Sequence, residues 1–81
     1  MARVVLWRSL QAAAGGATEI EIDAENIQQL LARLGEKYPK LKPVLASGVA
    51  VSIDDVIYRE DRLRPIPSGA EIFILPRMAG G

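Results

Sequence analysis

The chain has neither cysteine nor histidine. Without cysteine there is no disulfide, no thiolate nucleophile, and no zinc-thiolate or iron-sulfur ligation. Without histidine the commonest general base and the commonest metal ligand are gone as well. An excess of one charge is also missing: ten lysines and arginines balance ten aspartates and glutamates. Nothing in the net charge therefore points to nucleic acid or to an anionic membrane. No apolar run approaches the ~20 residues that cross a bilayer. Met1-Ala2-Arg3 leads into a strand-like run without a small-residue cleavage site. The expected location is the cytoplasm, and the expected part in any chemistry is that of a substrate or carrier, not of a catalyst.

At 81 residues the chain is one small domain, of a size that buries only about 60% of its unfolded surface. There is room for one core and none for an enclosed active site. Arg3 to Arg8 reads as a first strand, with Val4 and Leu6 on one face and Val5 and Trp7 on the other. Gln11 to Gly16 is alanine-rich but short and closed by two glycines, and is expected to be a loop. Thr18 to Ile22 alternates, with Ile20 and Ile22 inward and two glutamates outward, as in a strand with one wet face.

Asn26 with Gln29 three residues later has the form of a capping box. Behind it Ile27, Leu30, Leu31, Leu34 and Tyr38 recur along one face of a helix. Burying that stripe is worth on the order of 10 kcal/mol, an upper bound because the unfolded chain is not fully extended. This helix is the main cover of the core. Pro39 and Pro43 are expected to stop it and to leave Lys40 to Ser47 irregular.

A third strand, Val49 to Ile53, meets a polar turn at Asp54-Asp55, and Val56-Ile57-Tyr58 follows as a short fourth. Two adjacent carboxylates on a turn are too few ligands for a metal site. Arg59 to Arg64 is a charged excursion, read as a solubilising loop anchored by Leu63 and Ile66. Pro67-Ser68-Gly69-Ala70 is a turn with proline at its second position, feeding the last strand, Glu71 to Pro76. The chain then ends Arg77-Met78-Ala79-Gly80-Gly81.

That end is the thinnest tail an unmodified polypeptide offers. Ordering it costs roughly 1 to 2 kcal/mol per residue, and Ala79-Gly80-Gly81 has little apolar area to offset the cost. A mobile tail over 77–81, ordered only inside a partner, is expected to follow a body at 1–76. The order strand, strand, helix, strand, strand, strand, with one helix to cover one sheet face, suits an α+β β-grasp domain. In that arrangement the first and last strands are central and parallel, the sheet is mixed with about five strands, and Trp7, Phe73 and Leu75 lie on the face away from the helix.

These residues, in this order, resemble the ubiquitin-like sulfur carriers of the MoaD/ThiS family, and most nearly the small subunit of molybdopterin synthase. The landmarks are Ala14 to Gly16 between the first strands, Leu30-Leu31 to Tyr38-Pro39 on the helix, and Val49-Ala50-Val51. Pro67 to Glu71 before the last strand and the closing Ala79-Gly80-Gly81 complete them. The chain departs from the family at Asp54-Asp55, where an Asn-Gly type of turn is common. It departs again at Pro76-Arg77, where two prolines are usual, and at Met78, where valine is commoner.

The resemblance implies that an E1-like adenylating enzyme, consuming ATP, activates the carboxylate of Gly81, which then becomes a thiocarboxylate. The sulfur would pass to molybdopterin through the large subunit of molybdopterin synthase. It implies no cofactor bound by the chain itself, no catalytic residue and no metal. Gly80 and Ala79 would be the slim tail, and Trp7, Phe73, Leu75 and Pro76 the partner-docking positions. For the sheet face, a mini-core covered by the chain's own loops is an equally simple reading. Two alternatives to the function stand: a carrier for thiamine thiazole or another sulfur metabolite, and a ubiquitin-like modifier or binding module.

Overall fold

The computed structural model describes residues 1–46 and 48–76. Five strands form one sheet in the order β2-β1-β5-β3-β4, where β1 is Ala2–Val5, β2 Glu19–Ile22, β3 Val49–Ile53, β4 Val56–Tyr58 and β5 Glu71–Pro76. The central pair is parallel, with Val4 opposite Ile72 and Val5 opposite Phe73. The other three pairings are antiparallel. This is the β-grasp arrangement, with α2, Ile27–Lys37, as its longest helix.

The alternation of each strand decides which side is core. Ala2, Val4, Ile20, Ile22, Val49, Val51, Ile53, Ile72 and Ile74 are buried together with Ile27, Leu30 and Leu34 of α2. Leu31 and Tyr38 flank this core half-buried. The amide of Gln29 donates to Asn26 Oδ1 at 2.8 Å, as capping requires. The Gln29 side chain accepts from the amide of Glu25, one residue ahead of the cap.

Two more donors of this first turn are satisfied from the charged loop: the amides of Ile27 and Gln28 donate to the carbonyls of Arg64 and Arg62, at 3.2 and 2.8 Å. In return the amide of Ile66 donates to the Glu25 carbonyl at 2.9 Å. The loop's backbone completes the helix end, and of its side chains Arg62 turns inward, half-buried with Nη2 3.4 Å from the Val49 carbonyl.

Five local expectations are corrected. The first strand ends at Val5 instead of Arg8, and Trp7 becomes the extended N-cap of α1, Arg8–Gln11. The segment read as a loop from Gln11 is thus helical, α1 running on into a 3-10 turn at Ala12–Ala14. Burial of Leu10 and Ala14 stabilises this helix, which is too short to form alone. The Gln11 side chain also donates to the Leu6 carbonyl at 2.9 Å, and Gly15, at φ 68°, ends the segment.

Lys40 onward is not irregular either: a 3-10 turn at Pro39–Leu41 passes into α3, Lys42–Ala46. Both prolines stand in first turns, where a missing amide breaks no helical bond. Leu63 is 69% exposed and anchors nothing, and Ile66 alone tucks in. In the turn before β5 the amide of Ala70 donates to Pro67, so proline is first and Gly69, at φ 80°, third. The Gly69 amide donates instead to the Met1 carbonyl at 2.9 Å, tying the turn to the start of β1.

Candidate functional site

Among the described residues no helix lies over the sheet face away from α2, and the residues of that face follow from the registers. Val5 lies opposite Phe73, Phe73 opposite Ser52, Leu75 opposite Ala50, and Ser52 opposite Ile57. Directly opposed residues share a face, so Val5, Phe73, Leu75, Ala50 and Ile57 make an apolar patch centred on β5. Phe73 and Leu75 are half-buried, and Ser52, between Phe73 and Ile57, is buried. Ile57, at the β4 edge, is 51% exposed.

Trp7 is 55% exposed. It lies beyond the end of β1, and because β1 and β5 are parallel it is at the same end of the sheet as Leu75. The structure thus brings Phe73 and Leu75 onto one face and leaves Trp7 exposed at the end of it. Pro76 closes β5 with its backbone opposite Val49. Ala79, Gly80 and Gly81 lie outside the described residues.

The β2 side of the same face is charged, a feature that alternation alone did not reveal. Arg3 stands between two carboxylates, with Nε 3.2 Å from Glu19 Oε1 and Nη2 2.7 Å from Glu71 Oε2. Glu21 is directly opposite Arg3 in the ladder. Beside them is an open groove of about 430 Å³, whose lining includes Arg3, Val5, Gln11, Glu19, Glu71 and Phe73. The sequence signal for this cluster was the exposed half of the β2 alternation, and only strand pairing shows where Arg3 meets it.

Among the described residues there is no group of three or more carboxylates suited to a metal ion, and no buried side-chain polar atom lacks a partner. The face offers half-buried apolar side chains, one exposed aromatic and a charged flank. Exposed apolar and aromatic side chains grouped in this way are common at protein–protein interfaces.

An open-faced mixed sheet gripping one main helix defines a ubiquitin-like β-grasp protein. The ThiS family model matches residues 4–81, and the chain belongs to that family, the ubiquitin-like sulfur carriers. None of the curated proteins matches it.

Among solved structures, the small archaeal modifier protein 1 (SAMP1) of Methanosarcina acetivorans is 27% identical, with a TM-score of 0.82 over 99% of this chain and 95% of that one. The complex of subunits 1 and 2 of the molybdopterin-converting factor from Helicobacter pylori contains a chain 25% identical. It aligns with a TM-score of 0.71 over 99% of this chain and 97% of that one. The BexX/CysO complex of Amycolatopsis orientalis shares the fold at 17% identity, with a TM-score of 0.81 and full coverage of both chains. Among the described residues no helix is long and apolar enough to cross a membrane.

Proposed function

We propose that this protein carries sulfur as a thiocarboxylate on Gly81 and donates it in the synthesis of molybdopterin. The observation that carries the reading is the likeness, over nearly the whole of both chains, to a chain of the paired molybdopterin-converting factor subunits. The family match extends to Gly81 itself. An apolar open face along β5, the strand whose end leads toward that residue, agrees with docking on a larger subunit.

A carboxylate at pH 7 is unreactive toward nucleophiles, so the chemistry needs activation from outside. In this proposal an E1-like adenylating enzyme joins the Gly81 carboxylate to AMP, releasing pyrophosphate from ATP. A persulfide sulfur displaces AMP, and a thiol reductant then cleaves the sulfur-sulfur bond to leave the thiocarboxylate. The body of the chain contributes no base to these steps. Its work is to be recognised through Trp7, Phe73, Leu75 and Pro76, and to deliver a tail in which Gly80 has no side chain to obstruct a narrow channel. The reading assigns the protein to the cytoplasm, with a molybdopterin synthase large subunit as acceptor.

The 27% identity to SAMP1 favours one second reading, a modifier joined through Gly81 to amines of other proteins. Intact-mass and peptide analysis of protein from its own host separates the two. Replacement of one oxygen by sulfur at Gly81 supports the carrier. A glycine-glycine remnant on lysines of other proteins supports the modifier, and neither mark in cells making molybdopterin would remove both. Sulfur transfer to a molybdopterin synthase large subunit in a reconstituted assay tests the acceptor.

A further inference from the structure

The two edges of the sheet are unlike. At the β2 edge Glu19 and Glu21 are exposed, and such charges keep an edge from pairing with another chain. The β4 edge has no charge within Val56, Ile57 and Tyr58, and Val56 and Ile57 are 52% and 51% exposed. The strand is flanked by Asp55 before it and Arg59 after it. Both are exposed, and neither makes an ion pair among the described residues.

Asp54 and Asp55 have φ of 47° and 74°, which makes the β3–β4 connection a two-residue type I′ hairpin. Around such a turn Ile53 and Val56 exchange the ladder hydrogen bonds, and the pattern alternates from there. Ile57, opposite Ser52, therefore turns its amide and carbonyl outward, to the free edge. Its unpaired backbone groups lie at the centre of an uncharged strand.

We propose that two copies of this chain join through their β4 edges, antiparallel about a two-fold axis at Ile57, so that their sheets run on as one. The register is self-complementary. Ile57 meets the partner copy's Ile57 and exchanges both backbone hydrogen bonds with it. Val56 lies opposite the partner's Tyr58, an aromatic and β-branched pair of the kind that stabilises ladders. Asp55 lies opposite the partner's Arg59, so one ion pair closes each end. Tyr58 is held for this contact by Arg64, whose Nη2 donates to the phenol oxygen at 3.1 Å and whose guanidinium lies 4.6 Å from the ring centroid.

The occupant is a second copy because the flanking charges match their own two-fold image. An unrelated strand would have to supply the same order of charges by chance. The interface is three strand residues on each side, below the area of a standard complex, so association belongs at concentrations on the order of 0.1 to 1 mM. Phe73 and Leu75 are two strands away, which leaves the open face of both copies free. The dimer does not depend on the carrier reading.

Sedimentation velocity on the full chain, from about 10 μM to about 1 mM, tests it. The weight-average mass should climb from one chain toward two, and Ile57→Lys should remain monomeric with an unchanged thermal transition. Arg59→Glu alone and Asp55→Lys alone each place like charges opposite one another and should lose association. Mixed in equal amounts, the two variants bring the new carboxylate of one opposite the new ammonium of the other and should associate again. Wild type of constant monomeric mass, or undiminished association of Ile57→Lys, overturns the proposal. So does a mixture of the two charge variants that stays monomeric although both are folded by circular dichroism.

Discussion

Arg3 Nη2 on β1 donates to Glu71 Oε2 on β5 at 2.7 Å, joining residues 68 positions apart in the chain across the parallel centre of the sheet. The pair is solvent-exposed, and its partner contact to Glu19 is too. Exposed pairs contribute less than about 1 kcal/mol. Arg3→Leu should therefore lower unfolding free energy by under about 1 kcal/mol in a urea titration, and the difference should shrink further at high salt.

The N-cap matters more than that pair. Asn26 accepts from Gln29 at the start of the one long helix, and Asn26→Ala removes the acceptor while the donor stays. A loss of about 1 kcal/mol is expected, read as a lower urea midpoint with an unchanged slope.

At Asp55 the change should run the other way. Its φ of 74° is one that glycine adopts freely and aspartate does not. Asp55→Gly should stabilise the domain by roughly 0.5 to 1 kcal/mol, measured at low protein concentration. The neighbouring Asp54 should not be changed with it, because its Oδ1 accepts from the amide of Glu71 at 3.0 Å.

The docking face has its own signature. Trp7 is exposed and Leu75 half-buried, so Trp7→Glu should leave thermal unfolding almost unchanged. Direct titration against a molybdopterin synthase large subunit should nonetheless show at least a ~10-fold loss of affinity for Trp7→Glu, as for an interface anchor, and a similar loss for Leu75→Glu. Equal affinities for variants and wild type would remove this face from the mechanism.

Deletion of Gly81, or Gly80→Leu, should abolish sulfur loading while the unfolding transition stays where it was. A large fall in stability from either change would mean that the tail serves the fold and not the transfer.

How far the sequence carried the reading differs from element to element. The stripe Ile27, Leu30, Leu34 and its Asn26 cap could be read directly, because a helix face and its cap are set by residues within four positions of one another. Strands β3 and β5 were equally plain, and the hairpin at Asp54-Asp55 lies where the polar pair marked it. Reading failed at Gln11 and Lys40, where short helices persist only because Leu10 and Leu41 are buried by distant segments. Leu63 differs for the opposite reason: its apolar side chain stays exposed because the backbone of Arg62 and Arg64 already makes the attachment. Of the candidate site, Phe73 and Leu75 were legible from alternation. The charged flank at Arg3, Glu19 and Glu71 was not.

By itself, then, the sequence determined the local matters: the kinds of element, their order, the turn residues, the absence of thiol and imidazole, and the glycine end. Each depends on neighbours in the chain or on side-chain chemistry alone. The tertiary structure decided which strands became edges, which face stayed open, which short helices survived, and which charges came together. Those outcomes require pairings between distant positions, whose loop-closure entropy is offset only when the whole sheet and core form together.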